Sequence, residues 1–248
     1  DSFRVPFIFA GSFGIFSSIF AFVTLPSSKF SQQRTRLFKI LDDIDTKYIY
    51  TFYSSLLMNF SHGFAFGMFR PVLVLYVYQV LGYSLIETAS ISAISFSLGA
   101  FSNSLSQIVG GRLADSKNRR LIITFAIILG QISTFSIIFV DNVFQLYFLV
   151  ICRFSMIGIF LPSLVSLEGD IIPSAQRGQL SGLIEGFRGF GSAVGPIICF
   201  VFYDYVWKGS PFVISPLLLL ISLVIFYVYY NDPLIQTRNF DLFEKENV

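Results

Sequence analysis

The sequence predicts an all-α integral membrane protein with seven transmembrane helices. Apolar residues make up 54% of the 248 residues and charged residues only 13%, which is unlike the composition of a soluble domain. The charges cluster between long apolar runs, and each run has about the 20 residues that a helix needs to cross a bilayer. The runs are 5–25, 49–80, 85–110, 120–140, 143–167, 178–203 and 211–230.

These runs divide the chain into four parts. Residues 1–25 contain the first helix, and residues 26–47 form a connector whose mixed charge suits a solvated link. Residues 48–230 contain the other six runs, and residues 231–248 form a short tail. The second run, 49–80, would measure about 48 Å as a helix, against a hydrocarbon core of about 30 Å. We therefore expect it to tilt, kink or extend into water.

The distribution of lysine and arginine predicts the orientation. The link 111–120 carries four cations and one carboxylate, so it must join two helices at one membrane face. If that face is cytoplasmic, twelve cations lie inside and only Arg4 and Lys208 lie outside, as the positive-inside rule expects. We therefore expect a multi-pass protein of the cell membrane, with residue 1 outside and the tail in the cytoplasm. The twelve cations are Lys29, Arg34, Arg36, Lys39, Lys47, Arg112, Lys117, Arg119, Arg120, Arg177, Arg238 and Lys245.

Charge and residue counts argue against several classes of function. The net charge is only +2 and the basic residues lie on one face, so no nucleic-acid partner is expected. The chain has one histidine, His62, and two cysteines, Cys152 and Cys199, which lie in apolar runs and suit packing. No cluster has the spacing of metal ligands or of a catalytic triad. We therefore predict no catalytic residues, no metal and no cofactor.

Polar residues on one face of the second run are candidates for a cavity wall. Asn59, His62, Phe66 and Arg70 are spaced by three, four and four residues, which places them on one side of a helix. An arginine at mid-membrane costs about 2.5 to 3.5 kcal/mol, so it usually faces a partner or a wet cavity. In the alternative interpretation, Asn59 and His62 bond to neighbouring helices and Arg70 reaches the outer interface. His62 is also a candidate for proton coupling.

The sixth run carries a second polar stripe, and the fifth run an isolated arginine. Glu185 and Arg188 are three residues apart and can pair within one helix. This ion pair would either have a purely structural role or contact the substrate. Arg153 lies about 15 Å into the fifth run. It would bind an anionic substrate or pair with Glu185, and the sequence does not separate these alternatives.

The link 111–120 resembles the signature of the major facilitator superfamily of transporters. That signature reads Gly-x-Leu-Ala-Asp-(basic)-x-Gly-Arg-(basic). The chain departs from it at Ser116 and at Asn118, although asparagine tolerates the left-handed conformation of a tight turn. The matching positions are Gly111, Leu113, Ala114, Asp115, Arg119 and Arg120.

Two later segments are also similar to this family. Residues 170–178 look like the link that leaves the fourth helix of a six-helix half. Gly191, Gly195 and Pro196 resemble its Gly-x-x-x-Gly-Pro element, whose small residues let helices pack closely. The trailing glycines of the element are replaced by Cys199 and Phe200, which weakens an antiporter interpretation.

The resemblance implies that the chain corresponds to the C-terminal half of a twelve-helix transporter. Residues 1–25 would be helix six, residues 26–47 the cytoplasmic central loop, and residues 48–230 helices seven to twelve. Because Asp1 is not a methionine and residues 1–6 do not resemble a signal peptide, we expect further chain upstream. The expected partners are the bilayer, an N-terminal transporter half, and a small-molecule substrate. Its movement would be driven by a gradient of protons or another ion, or by the gradient of the substrate itself.

The resemblance further implies secondary active transport by alternating access, with a charged gate at the cytoplasmic ends of the helices. Its expected members are Gly111, Asp115, Arg119, Arg120, Asp170 and Arg177. The rival hypothesis is a seven-helix receptor or ligand sensor. A retinal protein is not expected, because no lysine lies within the seven runs.

Overall fold

The computed structural model describes residues 46–115 and 118–230, together with positions 12, 15, 16, 20 and 44. Contacts divide the chain into two compact units, Asp1–Arg36 and Leu37–Val248. The four described positions of the first unit are helical and exposed. Every helix considered below belongs to the second unit.

Within the described residues, six α-helices are long and apolar enough to cross a membrane. A short 3₁₀ turn, Ile137–Phe139, extends the third helix, and another, Ser174–Gln176, precedes the fifth. The helices are α1 (Ile49–Gln79), α2 (Leu85–Ala114), α3 (Arg119–Ser136), α4 (Val143–Ile171), α5 (Arg177–Tyr205) and α6 (Pro211–Tyr229).

Local hydrogen bonds explain where several helices begin. The hydroxyl of Ser84 accepts from the backbone N–H of Glu87 at 3.4 Å, and the Glu87 carboxylate accepts from the N–H of Ser84 at 3.0 Å. This capping box starts α2. The side chain of Asn142 caps α4 by accepting from the N–H of Gln145 at 3.0 Å. Gly82 adopts φ +75° in the turn between α1 and α2, where a side chain would be strained.

Six of the seven apolar runs are confirmed as helices, and their bounds differ from the prediction by at most about four residues at either end. The helix α2 continues to Ala114 and α4 continues to Ile171, four residues beyond the apolar runs that predicted them. The reason is that hydropathy marks where a helix meets lipid, whereas the backbone ladder continues through polar residues. The first run, 5–25, the connector 26–47 and the tail 231–248 lie almost wholly outside the described residues.

One end of the bundle brings together the starts of α1, α3 and α5 and the ends of α2, α4 and α6. Thr51 donates to the carbonyl of Tyr229 at 2.7 Å, which joins α1 to α6. Arg119 donates to the carbonyl of Ala114 and to the carboxylate of Asp170, which joins α2, α3 and α4. This end, called the hairpin end below, is the face that the sequence predicts to be cytoplasmic.

Glycines allow the closest helix contacts, which join α1 to α5 and α2 to α4. A methyl group on Gly63 would overlap the backbone carbonyl of Arg188, and one on Gly191 would overlap the carbonyl of Phe60. Gly158 of α4 meets the backbone of Asn103 in α2 in the same way. The backbones of these pairs therefore touch with no side chain between them, as small residues permit in membrane helices.

Buried apolar side chains form two clusters, one toward each end of the bundle. The cluster at the hairpin end includes Phe52 of α1, Leu164 of α4 and Phe226 of α6. The opposite cluster includes Phe69 of α1 and Phe212 of α6. The polar residues discussed next lie along α1, α3, α4 and α5 between these clusters.

Candidate functional site

A cleft of about 390 Å³ opens between α1, α2, α4 and α5. Its volume is in the range of small-molecule sites, which are mostly apolar with a few placed polar groups. The polar lining comes mainly from α1 and α5. The lining residues are His62, Gly63, Phe66, Asn103, Ile157, Leu161, Glu185, Arg188, Gly189 and Ser192.

Arg188 is the cation of the cleft, and its guanidinium is held from two sides. Its Nη1 donates to Oε1 of Glu185 at 2.8 Å, which is the pair that the three-residue spacing predicts. Its Nε and Nη2 both donate to Oδ1 of Asn59, at 3.1 and 2.6 Å. The side chain of Arg188 is 22% exposed and that of Glu185 is 63% exposed. The cleft therefore presents a charge that is oriented by hydrogen bonds yet still accessible.

Asn59 connects Arg188 to a second carboxylate, Glu168 of α4. The Nδ2 of Asn59 donates to Oε1 of Glu168 at 2.6 Å and to the carbonyl of Ser55 at 2.9 Å. Because its oxygen accepts from Arg188 and its nitrogen donates to Glu168, the orientation of the amide is set by its partners. Glu168 is only 4% exposed. The three helices α1, α4 and α5 are thus linked through one amide.

Glu168 is the residue of this network that was not predicted as a site residue. The sequence does indicate that Glu168 is buried in the bundle. Glu168 directly follows an apolar run, and an acidic residue in a membrane helix seldom points into lipid. The apolar run ends at residue 167, however, so hydropathy alone places Glu168 just beyond the membrane span, beside the charges of the following link. The continuation of α4 to Ile171 is what brings Glu168 into the bundle.

Arg153 lies in a separate small chamber behind the cleft, and His62 lines both spaces. The Nε of Arg153 donates to the hydroxyl of Thr134 at 3.0 Å, and its Nη2 donates to the carbonyl of Ala65 at 3.4 Å. The guanidinium also stacks on the ring of Phe69, 3.7 Å from the centroid. The side chain is buried, and its partners among the described residues include no carboxylate. Arg153 therefore does not form the alternative pair with Glu185.

His62 and Arg70 extend the predicted stripe along α1 in different environments. His62 is buried, with its ring 5.5 Å from that of Phe160. Arg70 is exposed, and its guanidinium lies 4.6 Å from the ring centroid of Phe66, a residue of the cleft wall. Of the six predicted cavity residues, His62, Glu185 and Arg188 line the cleft, Asn59 contacts its cation, and Arg153 lines the chamber. Arg70 is not among the residues that line either space.

At the hairpin end, the predicted charges form one ion pair and several carbonyl contacts. The Nη1 of Arg119 is 2.5 Å from Oδ2 of Asp170, and its Nε donates to the carbonyl of Ala114 at 2.6 Å. Arg120 donates to the carbonyl of Tyr227 at 2.7 Å. Arg177 donates to the carbonyl of Gly169 at 3.3 Å. Together these contacts connect α3 to α4 and α6, and α5 to α4, at the hairpin end.

The hairpin motif itself is more open than its neighbours. Asp115 is exposed, and no ion pair to it forms within residues 46–115 and 118–230. Gly111 is exposed and has open space where a Cβ would lie. The carboxylate that pairs with the hairpin arginine is thus Asp170 of α4. Across the described part of the chain, no three of His, Cys, Asp and Glu come together as metal ligands would.

The comparisons with known proteins give a family and several relatives. The sequence profile of the Major Facilitator Superfamily matches residues 55–247. The chain is 28% identical over 171 residues to the multi-drug resistance efflux pump PmrA homolog of Lactococcus lactis. It is 25% identical over 172 residues to the proton-coupled antiporter flippase LtaA of Staphylococcus aureus strain USA300. Each match covers 68% of this chain and 42% of the relative, so the chain spans less than half of the relatives it matches.

The profile match covers most of the chain, including all six described helices except the first turns of α1. Together with the six apolar spans it favours membrane transport over the receptor hypothesis. The chain is a multi-pass membrane protein that belongs to the Major Facilitator Superfamily.

Proposed function

We propose that this chain is the C-terminal half of a secondary transporter that moves a small solute by alternating access. The cleft between α1, α2, α4 and α5 is its contribution to the substrate site, and Arg188 binds a polar or anionic group of the solute. The observation that carries the proposal is the partly exposed side chain of Arg188, a cation that lines a cleft of about 390 Å³. An ordered charge beside apolar walls is what recognition of a small polar solute needs.

The missing half of the site would come from a second helical bundle. Alternating access requires two bundles that rock around a site near the middle of the membrane. The match to less than half of each relative supports this division. Residues 1–25 would then precede the central loop 26–47, with residue 1 outside, the tail 231–248 in the cytoplasm, and the hairpin end facing the cytoplasm.

The contacts at the hairpin end are proposed to act as the inner gate. Arg119 and Asp170 join α3 to α4, while Arg177 joins α5 to α4. Ion pairs that form in one conformation and break in the other shift a two-state equilibrium. The hairpin residues Gly111, Asp115 and Arg120 would contribute to that gate.

Protons are the proposed coupling ion. The support is a relative described as a proton-coupled antiporter and the placement of titratable groups along the cleft, with His62 and Glu185 in its wall. Coupling requires that proton binding and solute binding each favour one conformation over the other.

The test is a solute screen on the complete product of the reading frame that contains this chain, reconstituted in liposomes. A pH-sensitive dye inside the liposomes reports any solute that moves protons, and radiolabelled candidates report uptake directly. Organic anions are the first class to test. The expected result is at least one solute whose addition changes the internal pH and whose uptake is saturable.

Two variants make this test specific for the cleft. Arg188→Gln is expected to lower uptake about tenfold or more, because it removes the charge that faces the solute. Arg70→Gln is the matched control, since Arg70 is exposed and lies outside the cleft lining. Equal uptake by wild type and Arg188→Gln would contradict the proposed site. Robust uptake by residues 1–248 alone would contradict the proposal that this chain is only half of the transporter.

A further inference from the structure

The carboxylate of Glu168 is buried where a negative charge is poorly supported. It is 4% exposed and lies in the last turn of α4, which ends at Ile171. The backbone carbonyls at the end of a helix carry partial negative charge, so a carboxylate in the last turn is disfavoured. Burial adds to this, because a low dielectric favours the neutral form of an acid.

Among the described residues, no arginine forms an ion pair with Glu168. Both Nε and Nη2 of Arg188 donate to Asn59, and its Nη1 donates to Glu185. Glu168 receives a hydrogen bond from the amide of Asn59 instead, and the side chain of Ser55 on α1 also lies within hydrogen-bonding reach of it. Two carboxylates therefore share one cation, and one of them is separated from it by a neutral side chain. A proton on Glu168 makes the total charge of the network zero.

The charged groups on the helices around Glu168 are already engaged or exposed, and the remaining titratable group is the buried His62. On α3, Arg119 pairs with Asp170, the residue two positions after Glu168. On α5, Arg177 donates to the carbonyl of Gly169. On α1, His62 lies almost one turn beyond Asn59. On α2, Arg112 and Asp115 are exposed at the helix end, and α6 carries no Asp, Glu, Lys, Arg or His.

We infer that Glu168 is the proton-binding group of the transport cycle and that Asn59 transmits its protonation state to Arg188. This inference rests on the proposed proton-coupled transport and adds the residue that carries the proton. The step is simple: a proton from water forms an O–H bond at a carboxylate oxygen of Glu168, and the same bond breaks on release.

The hydrogen bonds of Asn59 explain how this step would reach the cleft. With Glu168 ionised, the amide N–H donates to a charged acceptor, which is a stronger hydrogen bond than one to a neutral acid. That bond holds Asn59, and Asn59 holds two donors of Arg188. Protonation weakens the first bond, so Arg188 is released more easily toward a solute in the cleft. Proton binding and solute binding thereby become linked.

The test uses infrared difference spectroscopy on the complete protein in lipid nanodiscs, titrated between about pH 5 and pH 9. A protonated carboxyl group gives a C=O stretching band that the ionised form lacks. The expected result is a titrating band that is lost in Glu168→Gln and retained in the matched control Glu185→Gln. The Glu168→Gln side chain can still accept from Asn59, so the packing is conserved.

Several outcomes would overturn the inference. They are a titrating band that survives in Glu168→Gln, a band lost in Glu185→Gln instead, or no titrating carboxyl band at all. If Glu168→Gln does not fold, Glu168→Asp decides: a band of shifted frequency supports the assignment and an unchanged band refutes it. None of these outcomes depends on a solute, so they are distinct from a failure of the proposed function.

A transport readout separates proton binding from general damage. Glu168→Gln is expected to keep solute exchange between two sides of equal pH and to lose proton movement driven by solute, by about tenfold or more. Loss of both to the same extent would mean a structural role for Glu168 and would overturn the inference. Retention of both would overturn it as well.

Discussion

Arg188 and Arg153 are both cations within the bundle, but the protein holds them in different ways. Arg188 is bound by an exposed carboxylate and by the oxygen of one amide, and part of its side chain faces the cleft. Arg153 is 3% exposed and is held by a hydroxyl, a carbonyl and an aromatic ring. One partner of Arg188, the Glu185 side chain, is 63% exposed and its other partner, Asn59, is buried. The side-chain partners of Arg153, Thr134 and Phe69, are both buried. From this comparison we expect Arg188 to change partners more readily than Arg153.

The largest expected effect comes from forcing Arg188 away from Asn59. Gly63→Ala places a methyl group where the carbonyl of Arg188 lies, so α1 and α5 must separate. We expect a loss of about 3 kcal/mol or more in the free energy of unfolding, the size typical of severe overpacking. The measurement is the unfolding transition in detergent. Gly169→Ala is the control, because a Cβ there has open space, and an equal loss in both variants would contradict this account of the helix contact.

The second-largest loss of stability is expected from Arg153→Lys, which tests whether the planar guanidinium, and not only the positive charge, holds this side chain in place. Arg153→Lys keeps the charge but loses the planar contact with Phe69 and the forked hydrogen bonds to Thr134 and Ala65. We expect a loss of about 2 kcal/mol in the free energy of unfolding. The exposed Arg70→Lys should change it by less than about 0.5 kcal/mol. Similar stability of the two variants would show that Arg153 is not held as described.

A third arginine, Arg119, sharpens the comparison because it is buried like Arg153 and ion-paired like Arg188. Asp170→Asn removes its carboxylate partner, which is 37% exposed. We expect a loss of about 1 kcal/mol, reduced by solvent screening, together with lower transport because the inner gate is weakened. The free energy of unfolding is measured in detergent, and transport is measured at equal protein abundance in the membrane.

Asp115→Asn provides the matched change at the same end of the bundle. Asp115 is exposed and forms no ion pair within the described residues, so its substitution should leave the free energy of unfolding unchanged and lower transport without lowering insertion. Unchanged uptake in both Asp variants at equal abundance would refute the gate.

A similarly small effect on stability is expected at the exposed partner of Arg188. Glu185→Gln removes a carboxylate that is 63% exposed, and exposed ion pairs contribute little to stability. We expect a change of no more than about 0.5 kcal/mol in the free energy of unfolding. A loss comparable to that of Arg153→Lys would mean that Glu185, and not Asn59, determines where Arg188 lies.

The sequence predicted the helices well and the partners of the polar residues only in part. Hydropathy located six helices to within about four residues, because lipid contact demands long apolar runs. The pair between Glu185 and Arg188 followed from spacing within one helix. The contacts from Asn59 to Glu168 and from Arg153 to Thr134 cross between helices. Such contacts depend on how the helices rotate and shift against one another, and local periodicity carries no information about that.

The glycine contacts between α1 and α5 bear on how this bundle can move. Sliding of one helix past another normally proceeds by rotation of the side chains that interdigitate between them. At Gly63 and Gly191 no such layer exists, since each backbone touches the other directly. The backbones of α1, which carries Asn59, and α5, which carries Arg188, are therefore in direct contact, and we expect the two helices to move together. We therefore expect a change of partner at Arg188 to occur by torsion of its own side chain, on the fast timescale of rotamers, and not by sliding of α1 past α5.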